Sequence, residues 1–246
     1  MLLRLPGTYP AQGDTHLLID VVEREGLARG RRVLDVCTGG GAIALAAARA
    51  GASSVTAVDL STRSLLTARA NAVLHRQRVS VVQGDLFAPV AGRRFDLVLA
   101  NPPYVPAADD ELPRHRIARS WDAGTDGRAL LDRICTGARD VLAPGGAVLI
   151  TQSEVADPDL TVAMFTDAGL TASVVARTSV PFGPVMRRRA ELLAAKGLIA
   201  PGQAQEELVV IAARLDQPAE AVARLPELSE LPERDDPRSD EDARVA

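Results

Sequence analysis

A short, mostly apolar run, Arg32-Val33-Leu34-Asp35-Val36, breaks into Cys37-Thr38-Gly39-Gly40-Gly41 and is followed at once by an Ala- and Leu-rich stretch from Ala42 to about Ala50. A buried strand that turns on glycines straight into a helix is half of a βαβ unit, and the chain repeats that alternation. Further strands are expected at Ser54 to Asp59, Val79 to Gln83, Phe95 to Ala100, Ala147 to Thr151, Thr171 to Thr178 and Glu207 to Arg214. Helical patterns fall between them: from an N-cap at Ser61 or Thr62 to about His75, Gly127 to Leu142, Pro158 to Ala168, and Val185 to about Lys196. Ala143-Pro144-Gly145-Gly146 reads as a turn. Seven strands in this order imply an α/β fold, a Rossmann-like, mainly parallel sheet with helices on both faces.

The domain should run from residue 1 to 215, with an insertion at about 181–202 and an acidic tail at 216–246 expected to be disordered. That tail holds ten acidic residues against four arginines, so the net charge of −4 hides a body of about +2. A nearly neutral body argues against a protein that grips nucleic acid backbone, and any such contact is expected to be weak or indirect. No stretch approaches the roughly 18 uninterrupted apolar residues of a membrane span. Met1 to Pro10 lacks the apolar segment of a secretory signal. Two cysteines, Cys37 and Cys135, and three scattered histidines, His16, His75 and His115, make neither a disulfide framework nor a metal site. A reducing cytoplasm is the expected compartment.

Glycines at 39 to 41 let a ligand approach the main chain with no Cβ in the way. Asp59, ending the next strand, suits the two hydroxyls of a ribose, which fits any nucleoside cofactor, NAD included. Two details narrow the choice. A dinucleotide fingerprint needs Gly where Cys37 stands, and Asp35 ahead of the turn would repel a pyrophosphate but suit an ammonium group. Asp85, in Gly84-Asp85-Leu86 after the third strand, can accept the exocyclic amine of adenine. S-adenosylmethionine, with an amino acid head, a ribose and an adenine, matches the three acids.

Asn101-Pro102-Pro103-Tyr104 follows the fourth strand directly. Two prolines stiffen the exit and donate no N–H, so the Asn101 side-chain oxygen and the Pro102 carbonyl are left as paired acceptors. Such a pair can hold the two hydrogens of a planar NH₂ and stabilise positive charge as that nitrogen attacks a methyl sulfonium. Tyr104 adds a flat face. The chemistry is positioning and preorganised dipoles, with no general base.

With Asp35–Gly41, Asp59, Asp85 and Asn101–Tyr104 in order, the chain resembles the class I S-adenosylmethionine-dependent methyltransferases. It is most similar to the HemK-related enzymes that methylate the Gly-Gly-Gln glutamine of peptide-chain release factors. Tyr9-Pro10-Ala11-Gln12-Gly13-Asp14-Thr15-His16-Leu17-Leu18 resembles that family's Tyr-x-Pro-x-x-Asp-Thr segment ahead of the first helix, and Trp121 to Gly127 its glycine-rich loop. The resemblance implies that Thr15, Asp35, Cys37, Gly39, Gly41, Asp59, Leu60, Asp85, Leu86 and Asn101 hold the cofactor. It implies that Asn101, Pro102 and Tyr104 hold the acceptor amide, that the substrate is a release factor, and that a small activating subunit can be required. Almost nothing precedes the Tyr9 segment, which resembles the short archaeal and eukaryotic type. Cys37 replaces the family's usual Gly, and the 181–202 insertion has no counterpart there.

Other readings stay open at this stage: methylation of a nucleic acid base amine, methylation of a small molecule, or a cofactor-binding module without turnover. Trp121 either walls the acceptor pocket or anchors its loop. Asp109-Asp110-Glu111 and Arg187-Arg188-Arg189 are expected to be solvated.

Overall fold

The computed structural model describes residues 2–5, 8, 10–108 and 121–216. Tyr9, Asp109-Asp110-Glu111, His115 and the acidic tail beyond Asp216 lie outside the described residues. In chain order the elements are α1 (Gly13–Arg24), β1 (Arg32–Val36), α2 (Ala42–Arg49), β2 (Ser54–Asp59), α3 (Thr62–Leu74), β3 (Ser80–Gln83) and β4 (Phe95–Ala100). They continue with α4 (Leu131–Gly137), β5 (Leu142–Ser153), α5 (Pro158–Asp167), β6 (Thr171–Pro181), α6 (Pro184–Ala195) and β7 (Gln205–Arg214).

Seven strands make one sheet in the order β3-β2-β1-β4-β5-β7-β6. β3 through β5 pair in parallel, and β7 runs antiparallel between β5 and β6. The inner strands are buried on both faces, as strands covered by crossover helices must be. Alternation divides them: Leu34, Val98, Val148 and Ile150 face α4, α5 and α6, whereas Val33, Leu97, Leu99 and Leu149 face α1 and α2. From β1 the chain moves outward to β2 and β3, and β4 then returns to the other side of β1. The carboxyl ends of β1 and β4 therefore flank a topological switch point, where open α/β sheets leave a crevice.

Four local expectations are corrected. The helix expected from Gly127 begins only at Leu131 and ends at Gly137, followed by a 3₁₀ turn over Ala138–Val141. Gly127 is left-handed (φ +77°), and Arg128 turns inward to bond the Ala156 and Asp157 carbonyls and Thr161. Ala143–Gly146 is a bulge inside β5 rather than a turn before it. Phe95 pairs with Leu142 but Leu97 with Ala147, so the extra residues loop out where a Gly146 side chain would strike the Ala143 and Phe95 carbonyls. Asp14 and Thr15 lie in the first turn of α1 rather than ahead of it. The 181–202 insertion joins β6 to β7 and carries α6. Arg187 and Arg188 are solvated as expected, but Arg189 is turned into the protein.

No helix among the described residues is long and apolar enough to cross a membrane.

Candidate active site

A cleft of about 1980 Å³ opens over the carboxyl ends of β1, β2 and β4. Pockets for small ligands run to about 300–1,000 Å³, so this one has room for a cofactor and a side chain presented by a larger partner. Of the residues expected to hold the cofactor, Thr15, Cys37, Gly39, Asp59, Leu60, Asp85, Leu86 and Asn101 line it. Asn101, Pro102 and Tyr104, expected to hold the acceptor, line it too. Asp35 and Gly41 do not.

Asp35 shares the Val33 face of β1, against α2. Its Oδ2 accepts from Thr38 Oγ1 at 2.5 Å and from the Ala44 N–H at 3.0 Å, tying the turn to the first turn of α2. Fully buried, it is not among the residues that line the cleft, and its Oδ1 has no hydrogen-bond partner. Gly41 is likewise a packing residue, left-handed at φ +83°, where a Cβ would press on Ala68 at 3.1 Å. Gly39 is left-handed at φ +53° with open space on its Cβ side.

Asp59 is aimed by two backbone N–H groups, Gly39 to Oδ2 at 2.9 Å and Ser61 to Oδ1 at 2.8 Å. The two bonds fix the orientation of the carboxylate at the end of β2. Asp85 pairs with Arg133 at 2.7 Å, about half-exposed on both sides, which leaves its other oxygen available. Cys37 is half-buried and left-handed (φ +59°). Burial, then the charges of Asp59, Asp35 and Asp85, raise its thiol well above the usual range, so it is a neutral wall group and no nucleophile.

The acceptor end is built on one network. Asn101 Nδ2 donates to Thr15 Oγ1 at 3.1 Å, and that hydroxyl donates its single hydrogen to Asp14 Oδ1 at 3.2 Å. Asp14 Oδ2 receives the Tyr104 hydroxyl at 3.0 Å. Because Thr15 spends its hydrogen on Asp14, it can only accept from Asn101. This orientation commits Asn101 Nδ2 to Thr15 and leaves Oδ1 as the acceptor atom of the amide, in a residue that lines the cleft together with Pro102. Asp14 is thus the common support of Asn101 and Tyr104. Sequence reasoning quoted it but assigned it no role. Trp121 is both wall and anchor: it lines the cleft, packs on the core, and its carbonyl accepts from the Val105 N–H at 2.9 Å.

Glu206, at the start of β7, was also missed. It lies in the cleft wall, buried, with Oε2 unpartnered. Burial, opposed by Ser153 and reinforced by the nearby Asp14 and Glu154 charges, pushes its carboxyl up to about 7. Burial likewise pushes Asp35 up to about 7. Both acids therefore hold more protons in the folded state than unfolded between about pH 4 and pH 7, so their contribution to stability falls as pH rises through that window. Urea midpoints are expected to drop between pH 5 and pH 8 in the natural protein. Asp35→Asn should flatten part of that drop, since the Asn oxygen can still accept from Thr38 and Ala44. Glu206→Gln should flatten another part, and an unchanged slope in the double variant would contradict the assignment.

No three His, Cys, Asp or Glu side chains among the described residues are grouped to hold a metal.

The chain matches the methyltransferase small domain family over residues 8–119. It is 34% identical over 182 residues to the protein N5-glutamine methyltransferase MJ0928 of Methanocaldococcus jannaschii, covering 74% of this chain and 90% of that protein. It is 30% identical over 170 residues to the release factor glutamine methyltransferase of Geobacter sulfurreducens, covering 67% of this chain and 59% of that one. The chain therefore spans nearly all of the archaeal relative but well under two thirds of the bacterial one. Its fold is similar to that of the E. cuniculi Mtq2–Trm112 complex, responsible for methylation of the eRF1 translation termination factor. The TM-score is 0.58 at 24% identity, covering 85% of this chain and 98% of that one.

Proposed function

The chain belongs to the methyltransferases of the protein N5-glutamine type, and from that premise we propose that it methylates the Gly-Gly-Gln glutamine of a peptide-chain release factor. The observation that carries the reading is the place of Asn101 and Pro102 in the cleft wall with Asn101 Nδ2 tied through Thr15 to Asp14, which in this reading gives Asn101 Oδ1 and the Pro102 carbonyl to the substrate. Two fixed acceptors suit the two hydrogens of a primary amide. The relatives named for N5-glutamine and release factor methylation support the same substrate.

S-adenosylmethionine is the methyl donor of this family and, when bound, supplies an electrophilic methyl on a sulfonium. The open space at Gly39 and the oriented Asp59 fit such a group. In this reading Asp59 takes the ribose hydroxyls and Asp85 the adenine amine. Thr15, Cys37, Leu60 and Leu86 wall the site, and Asp35 and Gly41 act through the shape of the turn. At the acceptor end Asn101 and Pro102 accept the amide hydrogens and hold the nitrogen's lone pair toward the methyl. With the donor bound, the N–CH₃ bond would form as the S–CH₃ bond breaks and leaves the neutral thioether S-adenosylhomocysteine, the Asn101 and Pro102 oxygens would stabilise the positive charge growing on the nitrogen, and its proton would pass to water. Asp14 contributes by keeping Asn101 and Tyr104 in place.

We infer that the enzyme works in the cytoplasm beside the translation machinery. A small activating subunit is part of the proposal, supported by the paired form of the E. cuniculi relative. It is also supported by exposed Leu66, Val73 and Leu74 on α3, apolar area of the kind a partner covers. With methyl-labelled S-adenosylmethionine and a panel of release factor, its Gln→Ala variant, DNA and RNA, label is expected on the intact release factor alone. Label on nucleic acid, falling steeply with salt, would instead establish a base methyltransferase.

A further inference from the structure

Helix α6 and its flanks bury Phe182, Met186, Leu193 and Ile199 in the core. Two cations, the half-buried Arg189 and the exposed Lys196 at the C-cap, make polar bonds instead. Arg189 Nη1 donates to the Pro106 carbonyl at 2.8 Å and the Val105 carbonyl at 3.4 Å, while Nη2 pairs with Asp122. Lys196 Nζ donates to the Thr125 carbonyl at 2.7 Å and the Ala107 carbonyl at 3.0 Å.

These carbonyls belong to the two segments that wall the acceptor site. One, Val105 to Ala107, continues directly from Tyr104. The other, Trp121 to Thr125, runs beside it, joined by Val105 N–H to Trp121 O at 2.9 Å and Ala107 N–H to Gly124 O at 2.8 Å. A planar guanidinium fork spans two carbonyls and a carboxylate, and a compact ammonium bridges two converging carbonyls. Lys196 is the single lysine among 28 cationic residues, so a point charge stands here in a chain that otherwise uses arginine. Partly exposed ion pairs add little to stability. What these add is a fixed position for the wall relative to α6.

We propose that α6 is a clamp on the acceptor loop, with Arg189 and Lys196 as positioning residues for the groups of Asn101–Tyr104. This rests on the reading of that motif as the amide site. It gives the 181–202 insertion a role in the reaction.

The single tryptophan, Trp121, lies on the clamped wall and reports its order without any substrate. Acrylamide quenching of Trp121, melting temperature, S-adenosylmethionine affinity, and kcat and KM for the protein acceptor are measured for Arg189→Met, Arg189→Lys and Lys196→Met. Arg189→Met keeps the apolar stem and removes the fork. It is expected to raise Trp121 quenching and to lower kcat by about 10- to 100-fold, the scale of a misplacement of about 1 Å. Cofactor affinity should stay within about twofold, since the Gly39–Asp59 end is untouched. Arg189→Lys should recover part of kcat by keeping the Asp122 pair, and Lys196→Met should act in the same direction more weakly.

Unchanged quenching and kcat in Arg189→Met would overturn the proposal. So would parallel losses of melting temperature, cofactor affinity and kcat, the pattern of a merely structural contact. The quenching arm needs no acceptor. If the natural protein methylates no glutamine yet Arg189→Met still loosens Trp121, the substrate reading fails and the clamp stands.

Discussion

Asn101→Ala is expected to lower the rate of methyl transfer by about 10²–10³-fold, the usual effect of removing one preorganised group that meets charge developing in the transition state. The loss follows from geometry already built. Thr15 gives its only hydroxyl hydrogen to Asp14, so it fixes Asn101 by accepting from Nδ2, and in the proposed reading Oδ1 serves the acceptor amide. Removing the amide leaves the Thr15–Asp14 and Tyr104–Asp14 bonds intact, so the fold and the cofactor end should persist. Cofactor affinity by calorimetry is expected within a few-fold of the natural protein, while single-turnover transfer collapses. Asn101→Asp should fail as well, because a carboxylate cannot donate to Thr15 and would compete with Asp14 for its hydrogen. Equal losses of affinity and rate in Asn101→Ala would mean that Asn101 serves the cofactor rather than the acceptor.

The second large effect is expected at Gly127. Its left-handed backbone drives an added Cβ into the Tyr104 carbonyl oxygen and to 3.2 Å from the Pro106 ring, so the wall of the acceptor site must move. Left-handed strain costs about 1–2 kcal/mol, and the clash with backbone should bring the total for Gly127→Ala to about 3 kcal/mol. For a domain of this size that is a fall in melting temperature of about 6–12 °C. Gly197 supplies the control: it is also left-handed, at φ +72°, but a Cβ there meets nothing within 4 Å. Gly197→Ala should show the strain alone and keep full activity, whereas Gly127→Ala should lose stability and rate together. Similar melting temperatures and rates for the two would contradict the crowding at Tyr104.

The Gly127 pair also shows where sequence reading stops. The strand, glycine turn and helix around Gly39 were legible because apolar period, turn residues and helix composition agree locally. The helix after Gly127 was not. Arg128 to Leu130 have helical composition, but the conformation there is set by the Tyr104 carbonyl, distant in sequence. Asp35 reads as a ligand from its place before the glycines, yet the two-residue period of β1 puts it on the Val33 face, toward α2. Arg189 carried a legible signal that the run of three arginines hid: it is three residues from Met186 and four from Leu193, on the buried stripe of α6. Asp14 and Glu206 had none, since each owes its position to partners brought in by the sheet. The Asn101 motif was legible as a pair of acceptors, but the bond that aims it runs to Thr15 in another element.

The most direct test of the account is tandem mass spectrometry of a release factor after incubation with the enzyme and S-adenosylmethionine. The mass of one added CH₂ is expected on the glutamine side chain of the Gly-Gly-Gln sequence, and it should be missing with Asn101→Ala. A methyl group on any other residue, or an unmodified release factor under conditions where the enzyme methylates nucleic acid, would contradict it.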